Sequence, residues 1–164
     1  MDGKDFEQYL AKLRVDIERT VNDQIPDKIG NKAVELFNRN FKTESFFGQK
    51  WQEVQRRTPG TAAYKTAEQH HKTRHIRPIL TGDSGALGRS IRYRVEKGAA
   101  VVYSDLDYSS AHNDGTSIAG VRHNVRIPQR HNVRIPQRRF IGHHAEVDKM
   151  VKATITRLLN EVFK

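Results

Sequence analysis

A chain of 164 residues, 36% of them hydrophobic, is sized for a single domain that buries its own core. It contains no cysteine, which excludes a disulfide framework, a thiolate zinc site and a thiol nucleophile. The formal net charge of +10 favours an anionic partner, either nucleic acid or an acidic protein surface. The longest run free of polar side chains, residues 98–103, falls far short of the ~20 residues a membrane helix needs. The start, MDGKDFEQYL, lacks the basic and apolar stretches of a secretion signal. These features predict a soluble protein made and kept inside a cell, with no membrane partner.

The charge is unevenly placed. Residues 1–49 carry 8 basic and 9 acidic groups, residues 50–94 carry 10 and 3, and residues 95–118 carry 1 and 4. Residues 119–142 hold 6 arginines and no acid. The excess therefore sits in two middle segments, between nearly neutral ends.

In chain order, Phe6, Leu10, Leu13, Ile17 and Val21 recur at steps of four and three, which predicts an amphipathic helix. Pro26 interrupts it, because proline lacks an N–H and crowds the preceding turn. Either a second helix starts there, with Ile29, Ala33, Leu36 or Phe37, and Phe41 on its apolar face, or one long helix kinks at that point. Phe46, Phe47 and Trp51 come close behind and read as an aromatic plug rather than a base-stacking platform. Residues 56–78 are too polar for a core face and read as a long exposed basic loop, with room for a helical turn around 62–69. Ile91, Tyr93 and Val95 alternate with Arg92 and Arg94, so the first set should face inward along a strand. Lys97-Gly98 turns the chain, and residues 100–104 return as the partner strand. Val147, Val151, Ile155, Leu158 and Val162 mark a last helix over 145–163, its stripe widened by Met150 and Leu159.

The octapeptide HNVRIPQR stands at 123–130 and again, letter for letter, at 131–138. Two copies are too few for a solenoid and read as a local duplication in a surface hairpin. Eight is even, so a shift by one copy leaves each side chain on the same strand face. Pro128 and Pro136 lack a donor and belong at edges or turns.

No catalytic constellation emerges. His70, His71 and His75 have no HExxH pattern or carboxylate partner, so no metal is expected. His143-His144 reads as a polar entry to the last helix. TGDSGALG lacks both phosphate-loop spacings and precedes a strand, so no cofactor is expected either. Ser84 and Ser90 have no GxSxG elbow. The arginines at 122, 126, 130, 134, 138 and 139 are the sharpest electrostatic feature. Three readings stay open for them: a charged edge strand resisting aggregation, a protein-docking surface, or non-specific phosphate contact.

The second half carries an ordered set of short motifs. They are Ile79-Leu80, Ser84-Gly85-x-Leu87-x-x-Ser90-Ile91, two strands, Tyr108-x-x-Ala111-His112-Asn113-x-Gly115, and Ile135-Pro136-x-Arg138-x-Phe140-Ile141-Gly142. This order, with a C-terminal helix after it, resembles the phage virion morphogenesis (tail completion) proteins of Mu-like tailed phages. Phe41 with Gly48-x-x-Trp51 is similar to that family's segment before the loop, and the likeness covers most of residues 30–163. The duplicated octapeptide, Ser109-Ser110 and the histidine-bearing loop depart from the pattern. Because the second copy is in register with Phe140-Ile141-Gly142, the first reads as the insertion.

The resemblance implies a non-enzymatic assembly role at the head–tail junction or upper tail, as copies arranged in a ring around the DNA channel. It implies other tail and neck proteins as partners, a homo-oligomer in the particle even if the isolated chain is a monomer, and residence in the virion and, during assembly, in the host cytoplasm. Trp51, Leu87, Ile91, Tyr108, Ala111, Phe140 and Gly142 become structural motif positions, Gly85 and Gly115 turn positions, and Pro136 a rigid approach. Arg56, Arg57, Arg126, Arg134, Arg138 and Arg139 become candidate interaction residues, with Arg138 either bridging to a neighbour or capping carbonyls. The runner-up is a basic, non-specific nucleic-acid-binding module.

The expected fold is α+β in one domain over 1–164. An N-terminal helix or kinked pair (1–45) and a C-terminal helix (145–163) pack on a small, mostly antiparallel sheet region (79–142). The 56–78 loop and a hairpin over 116–139 project from it. Deleting residues 123–130 is expected to leave the melting temperature within about 2–4 °C of the parent, the equivalent of ~1 kcal/mol. Loss of soluble, cooperatively melting protein would make the first copy integral to the fold.

Overall fold

The computed structural model describes residues 3–70, 73, 75–82, 84–118 and 133–163. Its elements are helices α1 (Gly3–Arg19), α2 (Ile25–Thr43), α3 (Ala62–His70), α4 (Ala86–Arg89), α5 (Ser109–Asp114) and α6 (Ala145–Val162). The strands are β1 (Ser45–Phe46), β2 (Gln49–Lys50), β3 (Ile91–Glu96), β4 (Ala99–Ser104), β5 (Thr116–Ile118) and β6 (Val133–Ile135). The class is α+β, and among the described residues the strands form three separate two-stranded sheets, β1-β2, β3-β4 and β5-β6. Contacts divide the chain into two units: Met1–Leu36, Arg92–Tyr103 and His143–Lys164 form one, Phe37–Ile91 and Ser104–Gly142 the other.

In the first unit, α1 and α2 are joined by a π-helical turn, Thr20–Gln24, in which the Ile25 N–H reaches back to Thr20 O. This wider turn stands directly before the buried Pro26, whose ring would clash in an unbroken α ladder and which offers no donor to it. The choice left open at Pro26 is thus resolved as one helical path with a π turn. The apolar stripe of α1 is not a core face: the helix has no buried residue, and Phe6, Tyr9, Leu10 and Val15 are exposed. It touches α6, which leaves Leu13 and Ile17 only half-buried.

The stripe of α6 is likewise half-buried, and the one fully enclosed residue on that helix is Thr154, whose hydroxyl accepts from Lys32 Nζ at 3.0 Å. His144 caps this helix, with its Nδ1 accepting from Glu146 N at 3.2 Å. The β3–β4 hairpin turns at Lys97 and Gly98, both at positive φ (50° and 74°), as a tight two-residue turn requires. Of its inward set, Ile91 is buried and Tyr93 half-buried, but Val95 is exposed, because the tip of a two-stranded ribbon has no layer to cover it. A Cβ at Gly30 would overlap the Tyr93 ring, so that glycine lets the ring lie on α2. The phenol then donates to Asp27 Oδ1 (2.7 Å) and accepts from Asn31 Nδ2 (2.6 Å).

The second unit is built on aromatic contacts. Phe41 meets Trp51 edge-on at 5.6 Å between ring centroids and Phe140 at 5.2 Å, and Phe46 meets Phe47 at 4.9 Å. Ile79, Leu87 and Ile91 complete a buried set. Through this core runs 138–141, which belongs to no helix or strand. Its buried backbone groups need partners from elsewhere, since an unpaired amide in a core costs ~1–3 kcal/mol. Asn113 Oδ1 accepts from the N–H groups of Phe140 and Ile141, both at 3.0 Å. Asn40 Nδ2 donates to Phe140 O (3.1 Å), and Trp51 Nε1 donates to Arg139 O (2.8 Å). Arg138 N donates to His112 O at 2.8 Å.

Residues 56–78, expected as a loop with one helical turn, carry a 3-10 turn at Gln55–Arg57 and all of α3. Thr61 explains the helix start: its hydroxyl accepts from Tyr64 N at 3.1 Å, an N-cap contact. The hairpin expected over 116–139 pairs antiparallel in the register Thr116↔Ile135, Ser117↔Arg134 and Ile118↔Val133. The second octapeptide copy therefore supplies the strand. Positions 119–132, with Arg122, Arg126 and Arg130, lie outside the described residues, as do His71 and Asp83.

Gly115 connects α5 to β5 at φ 73°, and a Cβ there would stand 2.8 Å from Gln137 N. Gly115→Ala is expected to cost roughly 1–3 kcal/mol from backbone strain alone, before any displacement of Gln137. A urea midpoint unchanged from the parent would show that the α5–β5 connection is not held as described.

Candidate functional site

A cavity of about 320 Å³ opens within the second unit. Its apolar walls come from Val54, Ile79, Leu80, Ala86 and Leu87, and its polar groups include Ser84, Tyr108, His112 and Arg138. Each wall is placed by a local device. Glu44 sits just past the end of α2 at φ 50°, a C-cap position more often filled by glycine. Its carboxylate takes Arg57 Nη1 at 2.5 Å and Ile79 N at 2.7 Å, which fixes the cavity wall to the helix end. Arg56 Nη2 donates to Arg77 O (2.8 Å) and Pro78 O (2.9 Å), tying down the approach to Ile79. Gly85, at φ 64°, precedes α4 and brings Leu87 inward, where it is buried.

The opposite side comes from α5 and the segment after β6. The exposed Tyr108 meets the His112 ring edge-on at 6.0 Å between centroids. His112 Nδ1 is buried and has no hydrogen-bond partner among the described residues. Burial, and then the positive charge of Arg138, holds the imidazole below its ordinary pKa. Arg138 is itself only 7% exposed. Its Nε donates to Gln52 O at 3.1 Å, the one hydrogen bond of that side chain among the described residues. Desolvation lowers its pKa, opposed by the charge of Glu53.

The arginines put forward as one interaction set are thus divided by the structure. Arg138 is a buried carbonyl donor, not a surface group, because the irregular 138–141 segment carries it into the interior. Arg56 and Arg57 are half-buried and bound to groups of their own unit. Arg139 is exposed, with its guanidinium 4.9 Å from the centre of the Phe46 ring, and Arg134 is exposed on β6. A Cβ at Gly142 would overlap the Arg139 guanidinium. Ala111 and Pro136 are half-buried, whereas Trp51, Ile91 and Phe140 belong to the core. Asn40 and Glu44 were not legible as site-building residues; an acid directly after a helix end is the only signal Glu44 offers. Among the described residues no group of histidines and acids is arranged to hold a metal ion, and no helix is long and apolar enough to cross a membrane.

For Glu44, burial favours the neutral acid, but the hydrogen bonds from Arg57 and Ile79 and the charges of Arg57 and Lys50 outweigh it and lower the pKa. A folded-state value below the unfolded one (about 4.3) gives stability that is present at neutral pH and lost as pH falls through the folded value. Glu44→Gln is expected to cost roughly 1–3 kcal/mol at pH 7 and to flatten the loss of stability on acidification. Urea midpoints at neutral and acidic pH check this; a variant losing as much stability as the parent on acidification would remove Glu44 from that role.

No curated protein and no solved structure matches the chain significantly. A family model does, across residues 1–160, which take in both units, the aromatic core and the cavity. With a match of that extent, the chain belongs to the phage virion morphogenesis family.

Proposed function

We propose that this chain is a non-enzymatic structural subunit of a phage or prophage particle, acting in tail completion or head–tail joining as copies in a ring around the DNA channel. Family membership supplies the phage assembly role itself. The observation that carries the finer reading is α1, a seventeen-residue helix without one buried residue, whose Phe6, Tyr9 and Leu10 are about half exposed. Apolar side chains held in water along one helix suit a subunit completed by its neighbours. The exposed Arg134 and Arg139 suit the acidic surface of another tail or neck protein, and non-specific DNA contact is the competing use of the same charges.

The double variant Phe6→Ser, Leu10→Ser tests this reading, because both positions are exposed and the isolated chain should keep its melting temperature. In cells carrying a phage genome deleted for this gene, the variant is expected to lower infectious-particle yield at least roughly tenfold, since each side chain left unburied forfeits about 1.5–3 kcal/mol. Full complementation would defeat the docking role of α1. Strongly salt-dependent binding of the isolated chain to any duplex would favour the nucleic-acid module instead.

A further inference from the structure

Arg138 stands on the cavity wall, and no carboxylate among the described residues is bonded to it, although the charge of Glu53 is felt there. Arg138 is more than nine-tenths buried, and its single hydrogen bond among the described residues goes to a neutral carbonyl. That carbonyl belongs to Gln52. His112 lines the same cavity. Replacing a buried, poorly paired charge by an apolar group is often neutral or stabilising. The fold therefore places on the cavity wall a guanidinium with donors that no described residue takes up, and an entering anion can meet them.

The geometry points to a carboxylate as that entrant: an acidic side chain on a neighbouring protein, inserted into the cavity against Arg138 and His112. The assignment deepens the assembly reading, on which the choice of a protein partner rests. The guanidinium fork matches a carboxylate in two parallel bonds, and a carboxylate also accepts from imidazole N–H. The walls select the carrier. Val54, Ile79 and Leu87 offer apolar surface to the methylene stem of a glutamate, and about 320 Å³ accommodates that side chain. A DNA duplex spreads its phosphates along a wide cylinder, about one charge per 1.7 Å, and engages cations on a surface rather than one sunk in a cavity.

The test uses the full chain, ¹⁵N-labelled, with the Arg138 Nε–H and His112 ring resonances as reporters. Butyrate, which has the stem and carboxylate of a glutamate side chain, is expected to shift both saturably beyond a chloride control of equal ionic strength. Arg138→Met should fold and lose the His112 response. His112→Phe should retain the Arg138 response with affinity weakened roughly fivefold, the worth of one hydrogen bond. If Arg138→Met does not fold, the parent and His112→Phe titrations decide alone. Shifts no larger than those in chloride overturn the inference, as does a response to inorganic phosphate or a short DNA duplex exceeding that to butyrate. Such a result leaves the particle-yield test of α1 untouched. Failure of that test would remove the protein partner but not the butyrate shifts.

Discussion

The second unit depends on one constraint: a stretch of irregular backbone lies inside its core, and its buried polar groups need partners from distant parts of the chain, most of them side chains. Phe140 is 1% exposed, yet neither its N–H nor its C=O belongs to a ladder. Asn113 takes the N–H and Asn40 supplies the donor for the C=O, so two amides from distant parts of the chain close on one phenylalanine. Asn40 also accepts from Phe47 N at 3.2 Å, which seats the aromatic plug against the same point. Leaving any of these groups unpaired would cost more than the bond itself contributes, so the arrangement is cooperative. The cavity is a consequence. Fixing Phe140 between Asn40 and Asn113 places Arg138 two residues earlier, on the same cavity wall as His112, and leaves open space lined by Ile79 and Leu87.

The positive charge of this protein accordingly has two physical characters. Arg134 and Arg139 stand in solvent, where salt screens them and where they orient an approach more than they hold a partner. Arg138 is 7% exposed and lies on a cavity wall, where salt screens a charge less than at an open surface and where the shape of an anion matters.

Periodicity made the regular elements legible. The β3–β4 hairpin, α2 and α6 all obey apolar spacings, and the aromatic plug could be read from Phe46 and Trp51 standing near a helix end. Burial was less legible than position. An apolar stripe reports which face of a helix is cohesive, not whether its partner lies in the same chain, so α1 carries a core-like pattern that this chain leaves open. The clamp was illegible for a different reason. Asn40 and Asn113 act through side-chain hydrogen bonds to backbone far away in sequence, and such bonds leave no period. The same holds for Arg138. Among five arginines spaced four apart, its burial is decided by the enclosed Phe140 ring two residues on, and not by its own neighbourhood in the repeat.

That dependence also decides between the two octapeptides. Val125-Arg126-Ile127 and Val133-Arg134-Ile135 are the same tripeptide in the same strand phase, so β5 alone has no means of preferring one. Only the second copy is continued by Arg139-Phe140-Ile141. Pairing β5 with the first copy would bring Arg130 to the cavity but would continue into His131-Asn132, with no aromatic ring for Asn40 and Asn113 to hold. Register in this hairpin is therefore imposed from outside the strands, by the segment that the two asparagines clamp. A duplication of this length is tolerable here because the information that locks the sheet does not lie in the repeated residues.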